Sequence, residues 1–186
     1  MSERRAAEHA KYARAYGLNP DYRMGRSRME DAVRDLSALR SRGSYLDVSC
    51  GRGEMLAHAR RLGFAPVHGT EIVRELIDGT NVVRAEVHAL PFAGKSVDVV
   101  SMLDVIEHLL PGDDEAACRE LDRVAHRHVL VTANNRPSFN KSGDDLHINK
   151  RPYEEWDALF RQWFTGAVTL IKGNRAYVSE AWRVDL

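Results

Sequence analysis

Two cysteines, Cys50 and Cys118, are too few for a disulfide framework or a zinc ligand set, so no metal is expected and a reducing, cytoplasmic setting fits. No apolar run is long enough to cross a bilayer, and Met1-Ser2-Glu3-Arg4-Arg5 has no apolar stretch behind it, so neither membrane insertion nor export is expected. Net charge is missing too. The 27 Lys and Arg balance the 27 Asp and Glu, which removes any global pull toward nucleic acid or anionic lipid. The first 42 residues carry ten Lys and Arg against six Asp and Glu, a local excess that reads as a solvated helical arm. There is no internal repeat and no low-complexity linker. What remains is a chain of 186 residues with enough length for a substantial core.

The pattern alternates strands and helices. Residues 3–16 read as a helix whose small apolar positions (Ala6, Ala10, Ala13) bury only a shallow face, with a break at Gly17 to Pro20. A second helix spans about 27–41, with Met29, Val33, Leu36 and Leu39 at helical spacing. Strands are predicted at 45–49, 66–71, 81–85, 97–102 and 128–132, and helices at 54–62, 74–78, from Asp113 or Asp114 as cap, and from Pro152. Two final strands, 167–171 and 177–184, flank Gly173-Asn174, a hairpin signal. Alternation predicts a parallel doubly wound sheet, and the closing pair predicts one antiparallel strand in it.

The stretch Asp47-Val48-Ser49-Cys50-Gly51-Arg52-Gly53 joins the first strand to the next helix. Gly51 and Gly53 lack a Cβ, so the loop can turn sharply and its amides can meet a ligand. In an open α/β sheet, such a loop lies at the switch point where ligands bind. Glu71, at the end of the second strand, is about twenty residues further on, where a carboxylate can accept both ribose hydroxyl protons.

With Glu86-Val87-His88-Ala89-Leu90-Pro91-Phe92, Val97-Asp98-Val99-Val100 and Asp104-Val105-Ile106-Glu107-His108-Leu109 following in order, the chain resembles the class I S-adenosylmethionine-dependent methyltransferases, in the small ubiquinone-biosynthesis-like branch. The likeness covers about residues 45–184. It implies a Rossmann-like seven-stranded sheet of order 3-2-1-4-5-7-6 with strand seven antiparallel. It divides the chain into a helical arm or lid, 1–42, and a cofactor-binding core, 43–186. The implied cofactor is S-adenosyl-L-methionine. Asp47, Ser49, Gly51 and Gly53 would hold its amino-acid end and sulfonium, and Glu71 its ribose. Glu86 and the Val87 amide would meet the adenine, with Ile72 and Val87 flanking the ring, and the Leu103 carbonyl would take the ammonium. His147, in the loop after strand five, would be the general base. Tyr22, with Tyr12 and Tyr16 on the arm, and His108 would face the substrate. Glu107 and His108 also suit plain polar contacts at a helix start.

Two departures stand out. Ser49 occupies a position where the family more often has glycine, and Leu56 replaces the third small residue of a dinucleotide fingerprint, which counts against a nicotinamide enzyme. After strand four, Leu103-Asp104-Val105-Ile106 stands where the enzymes that methylate amino groups of DNA bases and glutamines carry an Asn/Asp-Pro-Pro-aromatic tetrad. No cysteine serves as a pyrimidine nucleophile, and no RNA module is appended. The expectation is methyl transfer to an oxygen or nitrogen of a small molecule. The alternatives are a non-catalytic cofactor-binding or partner subunit and a methyltransferase acting on nucleic acid, for which the basic arm is the only hint.

Overall fold

Tyr45–Val48 (β1) is buried at every position, as a central strand of a parallel sheet must be when helices cover both faces. Its alternation sorts the core. Leu46 and Val48 join one apolar cluster, and Tyr45 joins the other. The computed structural model describes residues 3–40, 42–171 and 179–186. In them β1, Val67–Glu71 (β2), Val82–Arg84 (β3), Val97–Met102 (β4), Ala125–Asn134 (β5), Ala167–Leu170 (β6) and Ser179–Asp185 (β7) form a seven-stranded sheet of order β3-β2-β1-β4-β5-β7-β6. β7 runs antiparallel to both β5 and β6, and the other pairs are parallel. The Gly173-Asn174 turn and the first two residues predicted for the last strand lie outside the described residues.

The helices are Glu3–Leu18 (α1), Arg26–Ala38 (α2), Glu54–Arg61 (α3), Asp113–Val124 (α4) and Tyr153–Trp163 (α5). Leu36 of the second and Leu39 that caps it, with Met55, Leu56 and Ala59 of the third, cover one face of the sheet. Ala117, Cys118, Leu121 and Val124 of α4, and Trp156, Phe160 and Trp163 of α5, cover the other at the i, i+4, i+7 spacing of a helical stripe. α1 buries only Ala15, as its small apolar positions foretell. None of the helices among the described residues is long and apolar enough to cross a membrane.

Several predicted boundaries shift, for local reasons. α1 runs through Gly17 to Leu18, because an exposed glycine costs a helix only about 1 kcal/mol. The segment after β2 makes one 3-10 turn, Arg74–Leu76, instead of a helix, and the stretch after β4 makes another, Ile106–His108. Pro152 is the N-cap of α5 and not its first helical residue. α4 is entered through Gly112 at φ 97, and the Asp114 carboxylate accepts from the Gly112 and Glu115 amides from inside the helix.

Candidate functional site

The carboxyl ends of β1, β2 and β4 open into a cavity of about 330 Å³, within the size range of small-molecule sites. The loop after β1 forms its floor. Ser49 sits at φ 60, a left-handed conformation that costs a side chain strain and that glycine takes freely, so the unusual residue still makes the turn glycine would make. Gly51 follows at φ 55, and a Cβ on it would lie 2.6 Å from the Tyr16 hydroxyl. Gly53, at φ 77, is the N-cap of α3 and makes no side-chain cap bond. It does not line the cavity, so of the two glycines only Gly51 is in position to touch a ligand.

Glu71 closes the floor. It is 4 % exposed, and its carboxylate accepts from three backbone amides: Gly51 at 2.9 Å, Ile72 at 2.7 Å and Val73 at 3.1 Å. One acid therefore locks the glycine loop to the end of β2. Two carboxylate oxygens offer about four acceptor sites, so capacity remains for a ligand hydroxyl. Asp47 lies alongside, buried, with Oδ1 accepting from the Ser101 hydroxyl at 2.6 Å, and Ser101 Oγ in turn lies 2.5 Å from the Tyr45 hydroxyl. Burial, with a contribution from the Glu71 charge, pushes Asp47 up to about 7, against the pull of the Ser101 and Tyr45 hydroxyls.

Ile72, Glu86, Val87 and Leu103 line the same cavity, as do Tyr22, His108 and His147. The arm closes it from above. Arg5 pairs with Asp113, His9 Nε2 lies 3.2 Å from the Glu86 carboxylate, and Tyr12 donates to the Leu146 carbonyl at 3.3 Å. Tyr16 packs edge-on against Tyr22, with the Arg52 guanidinium over its ring. Burial raises the hydroxyl pKa of all three tyrosines, Tyr22 to about 12, so they stay protonated.

At the far end three groups converge that the sequence separates. Ligand atoms of Glu107, His108 and His147 all lie within 4.8 Å of one another. His108 Nδ1 lies 2.8 Å from the Leu146 carbonyl and His147 Nδ1 lies 2.5 Å from the Arg136 carbonyl. A carbonyl only accepts, so His147 holds its proton on Nδ1 and leaves Nε2 bare, whereas the His108 ring has a second backbone carbonyl, that of Asp104, beside it. The two rings meet edge-on at 4.6 Å between centroids. Burial, and then the neighbouring His147, lowers His108 to about 3, while burial lowers His147. Glu107 is fully buried, and neither carboxylate oxygen has a hydrogen-bond partner. Burial and the Asp104 charge raise its pKa, and the Glu107 and Asn134 amides oppose the rise without reaching hydrogen-bond geometry.

The sequence model of a family described as "Methyltransferase domain" matches residues 22–168, most of the chain. The chain belongs to that family. Among curated proteins, none matches the methyltransferase in sequence. Its fold is shared with solved structures of low identity. Burkholderia thailandensis 1,6-didemethyltoxoflavin-N1-methyltransferase, solved with 1,6-didemethyltoxoflavin and S-adenosylhomocysteine, is 16 % identical at TM-score 0.74, over 100 % of this chain and 91 % of that one. The PH0226 protein of Pyrococcus horikoshii OT3 is 17 % identical at TM-score 0.70, over 91 % and 97 %. A methyltransferase in complex with the Haloferax volcanii Trm112 methyltransferase activator is 13 % identical at TM-score 0.69, over 96 % of each chain.

Every residue given a cofactor, substrate or catalytic role from the methyltransferase sequence lines one cavity except Gly53, and Glu107 lies behind its wall. The structure adds Tyr16 against Gly51, the Tyr45–Ser101–Asp47 chain, and Glu107 as a partner of the two histidines. Period-two alternation in β1 could have found Tyr45 beside Asp47. Nothing local could have found His147 beside His108.

Proposed function

We propose that this methyltransferase moves a methyl group from S-adenosylmethionine to a small-molecule acceptor held between the cofactor and the helical arm. One observation carries the reading. The glycine-loop amide and the acid about twenty residues later meet at 2.9 Å on the cavity floor, so ribose hydroxyls and the amino-acid end of a nucleoside would share one anchored patch. Glu71 takes the ribose, Ile72 and Val87 flank the adenine, and Glu86 accepts from its amino group. Asp47 faces the cationic sulfonium and ammonium, and Ser49, Gly51 and Leu103 contribute polar groups to the same end.

Sulfonium is already an activated leaving group, so the protein must chiefly hold the acceptor in line and remove its proton. His147, neutral near pH 7 and bare at Nε2, supplies a lone pair on the acceptor's side. The arm, residues 3–40 of the described chain, is the lid. Tyr16 over Gly51 must move for a cofactor to settle on the loop, and Tyr12 and Tyr22 then face the acceptor. A pocket roofed by aromatic side chains suits a small molecule better than a polymer.

The cofactor assignment has a pH signature. Only ionised Asp47 attracts a cation, and with its pKa at about 7 the ionised fraction rises roughly tenfold from pH 6 to pH 8. Calorimetry should show S-adenosylmethionine binding about tenfold more tightly at pH 8 than at pH 6 relative to Asp47→Asn, and an acceptor panel should release S-adenosylhomocysteine. Identical pH profiles in the two proteins would remove Asp47 from the cofactor's contacts. Cofactor binding without turnover on any acceptor would favour a binding-only subunit.

A further inference from the structure

A buried carboxylate with no hydrogen-bond partner is costly unless something pairs with it. Glu107 is such a group, fully buried with both oxygens unpartnered, in a 3-10 turn that keeps it there. Beside it stand two imidazoles whose Nδ1 atoms meet the Leu146 and Arg136 carbonyls. No described side chain makes a hydrogen bond to the other nitrogen of either ring. Metal-bound histidines are oriented in this way, donating the other ring N–H to a backbone carbonyl, which fixes the tautomer.

We infer that Glu107, His108 and His147 form a binding site for a first-row divalent cation at the acceptor end of the cavity. Two imidazoles and one carboxylate are the donor set of sites for Mn²⁺, Fe²⁺, Co²⁺ or Zn²⁺, and disfavour Mg²⁺ and Ca²⁺, which prefer oxygen alone. Bonds of about 2.1 Å place ligand atoms roughly 3–3.5 Å apart, a spacing compatible with a trio whose ligand atoms lie within 4.8 Å of one another. Asp104 adds negative charge nearby, although its carboxylate is held by Arg28 at 2.5 Å and by Thr132 at 3.1 Å.

Three protein ligands leave coordination positions open toward the cavity, where an acceptor hydroxyl can bind. The cation then lowers that hydroxyl's pKa and its proton leaves to solvent. The oxygen attacks the methyl carbon, the carbon–sulfur bond breaks with its electron pair going to sulfur, and the products are a methyl ether and S-adenosylhomocysteine. His147 serves in this arrangement as ligand in place of base, and oxygen acceptors are favoured over nitrogen. This use of the cation rests on the methyl-transfer reading above; the site itself does not.

The test titrates tag-free, metal-stripped protein with Co²⁺, whose visible absorption reports nitrogen and oxygen ligation, with Mg²⁺ as the contrasting probe. Wild-type protein should bind one equivalent of Co²⁺ and show no comparable Mg²⁺ binding. Glu107→Gln and His147→Ala should each weaken Co²⁺ by at least about tenfold while still binding S-adenosylhomocysteine. A crystal of the wild-type protein soaked in Co²⁺ should give an anomalous peak between the three side chains, a result that needs no variant to fold. No saturable Co²⁺ binding, a peak elsewhere, or equal affinity in the variants would overturn the site. Wild-type protein that binds S-adenosylhomocysteine but takes up no Co²⁺ at the trio would sink this inference alone. A Co²⁺ peak at the trio in protein that binds no S-adenosylhomocysteine would sink the cofactor reading and leave the site standing.

Discussion

Glu71→Ala should weaken cofactor binding about ten- to a hundredfold and also loosen the fold. The carboxylate takes three backbone amides, and removing it leaves all three donors buried without their partner. Each such loss costs about 1–3 kcal/mol, and because water can enter the space left by the side chain we expect the low end, about 3 kcal/mol in total. Cofactor affinity falls further, since the ribose hydroxyls lose a charged acceptor worth roughly 1.5–3 kcal/mol, a factor of about ten to a hundred. Glu71→Gln keeps one oxygen for the Ile72 and Val73 amides but turns an NH₂ toward the Gly51 N–H, so it should lose affinity with a smaller loss of stability. Denaturant unfolding and calorimetry with S-adenosylhomocysteine separate the two effects. Unchanged affinity in the alanine variant would remove Glu71 from the ribose site.

Asp114→Ala should be as damaging to stability and yet spare the cofactor. Asp114 is 1 % exposed, and its two oxygens face different elements. Oδ1 accepts from the Gly112 and Glu115 amides at the start of α4, and Oδ2 accepts from Asn149 at 2.9 Å and Arg151 at 3.0 Å. Those last two residues end the loop that carries His147, and the Asn149 amide bonds the Glu107 carbonyl as well. Breaking a buried ion pair costs about 3–5 kcal/mol; Arg151 keeps Glu155 at 2.6 Å, so about 3 kcal/mol is expected. The informative variant is Asp114→Asn. It retains an oxygen for the α4 amides and presents an NH₂ to Asn149 and Arg151, so it should release the loop alone. We expect methyl transfer to fall by at least about tenfold while S-adenosylhomocysteine affinity stays within a factor of two, because a misplaced catalytic group costs rate before it costs cofactor. Equal losses of both would mean the loop does not act through His147.

The contrast between these two acids shows how far sequence carries. The meeting of Glu71 with the glycine loop was legible because its place is set by spacing along one βαβ unit, where chain geometry allows little freedom. The strand order was legible for the same reason: right-handed crossovers leave few arrangements for alternating elements. Asp114 was legible only as one of two candidate caps. That it works from inside the helix, and holds a loop whose sequence is unspecific, depends on where β5 delivers the chain. Ser49 departed from the family pattern on paper, and the backbone absorbs it at φ 60. His108 was read as facing the substrate, and Glu107 and His108 equally as polar residues at a helix start. Their meeting with His147 is a tertiary fact, made by the hydrogen bonds of Leu146 to His108 and of Arg136 to His147, and no local pattern encodes it.

The placement of a sulfonium nucleoside across Gly51 and Glu71 is tested most directly by soaking S-adenosylhomocysteine into crystals of the wild-type protein. Density is expected with a ribose hydroxyl on the Glu71 carboxylate, the amino-acid end on the glycine loop, and Tyr16 displaced from Gly51. Density for the nucleoside elsewhere, or Tyr16 still seated on the loop at saturating ligand, would contradict it.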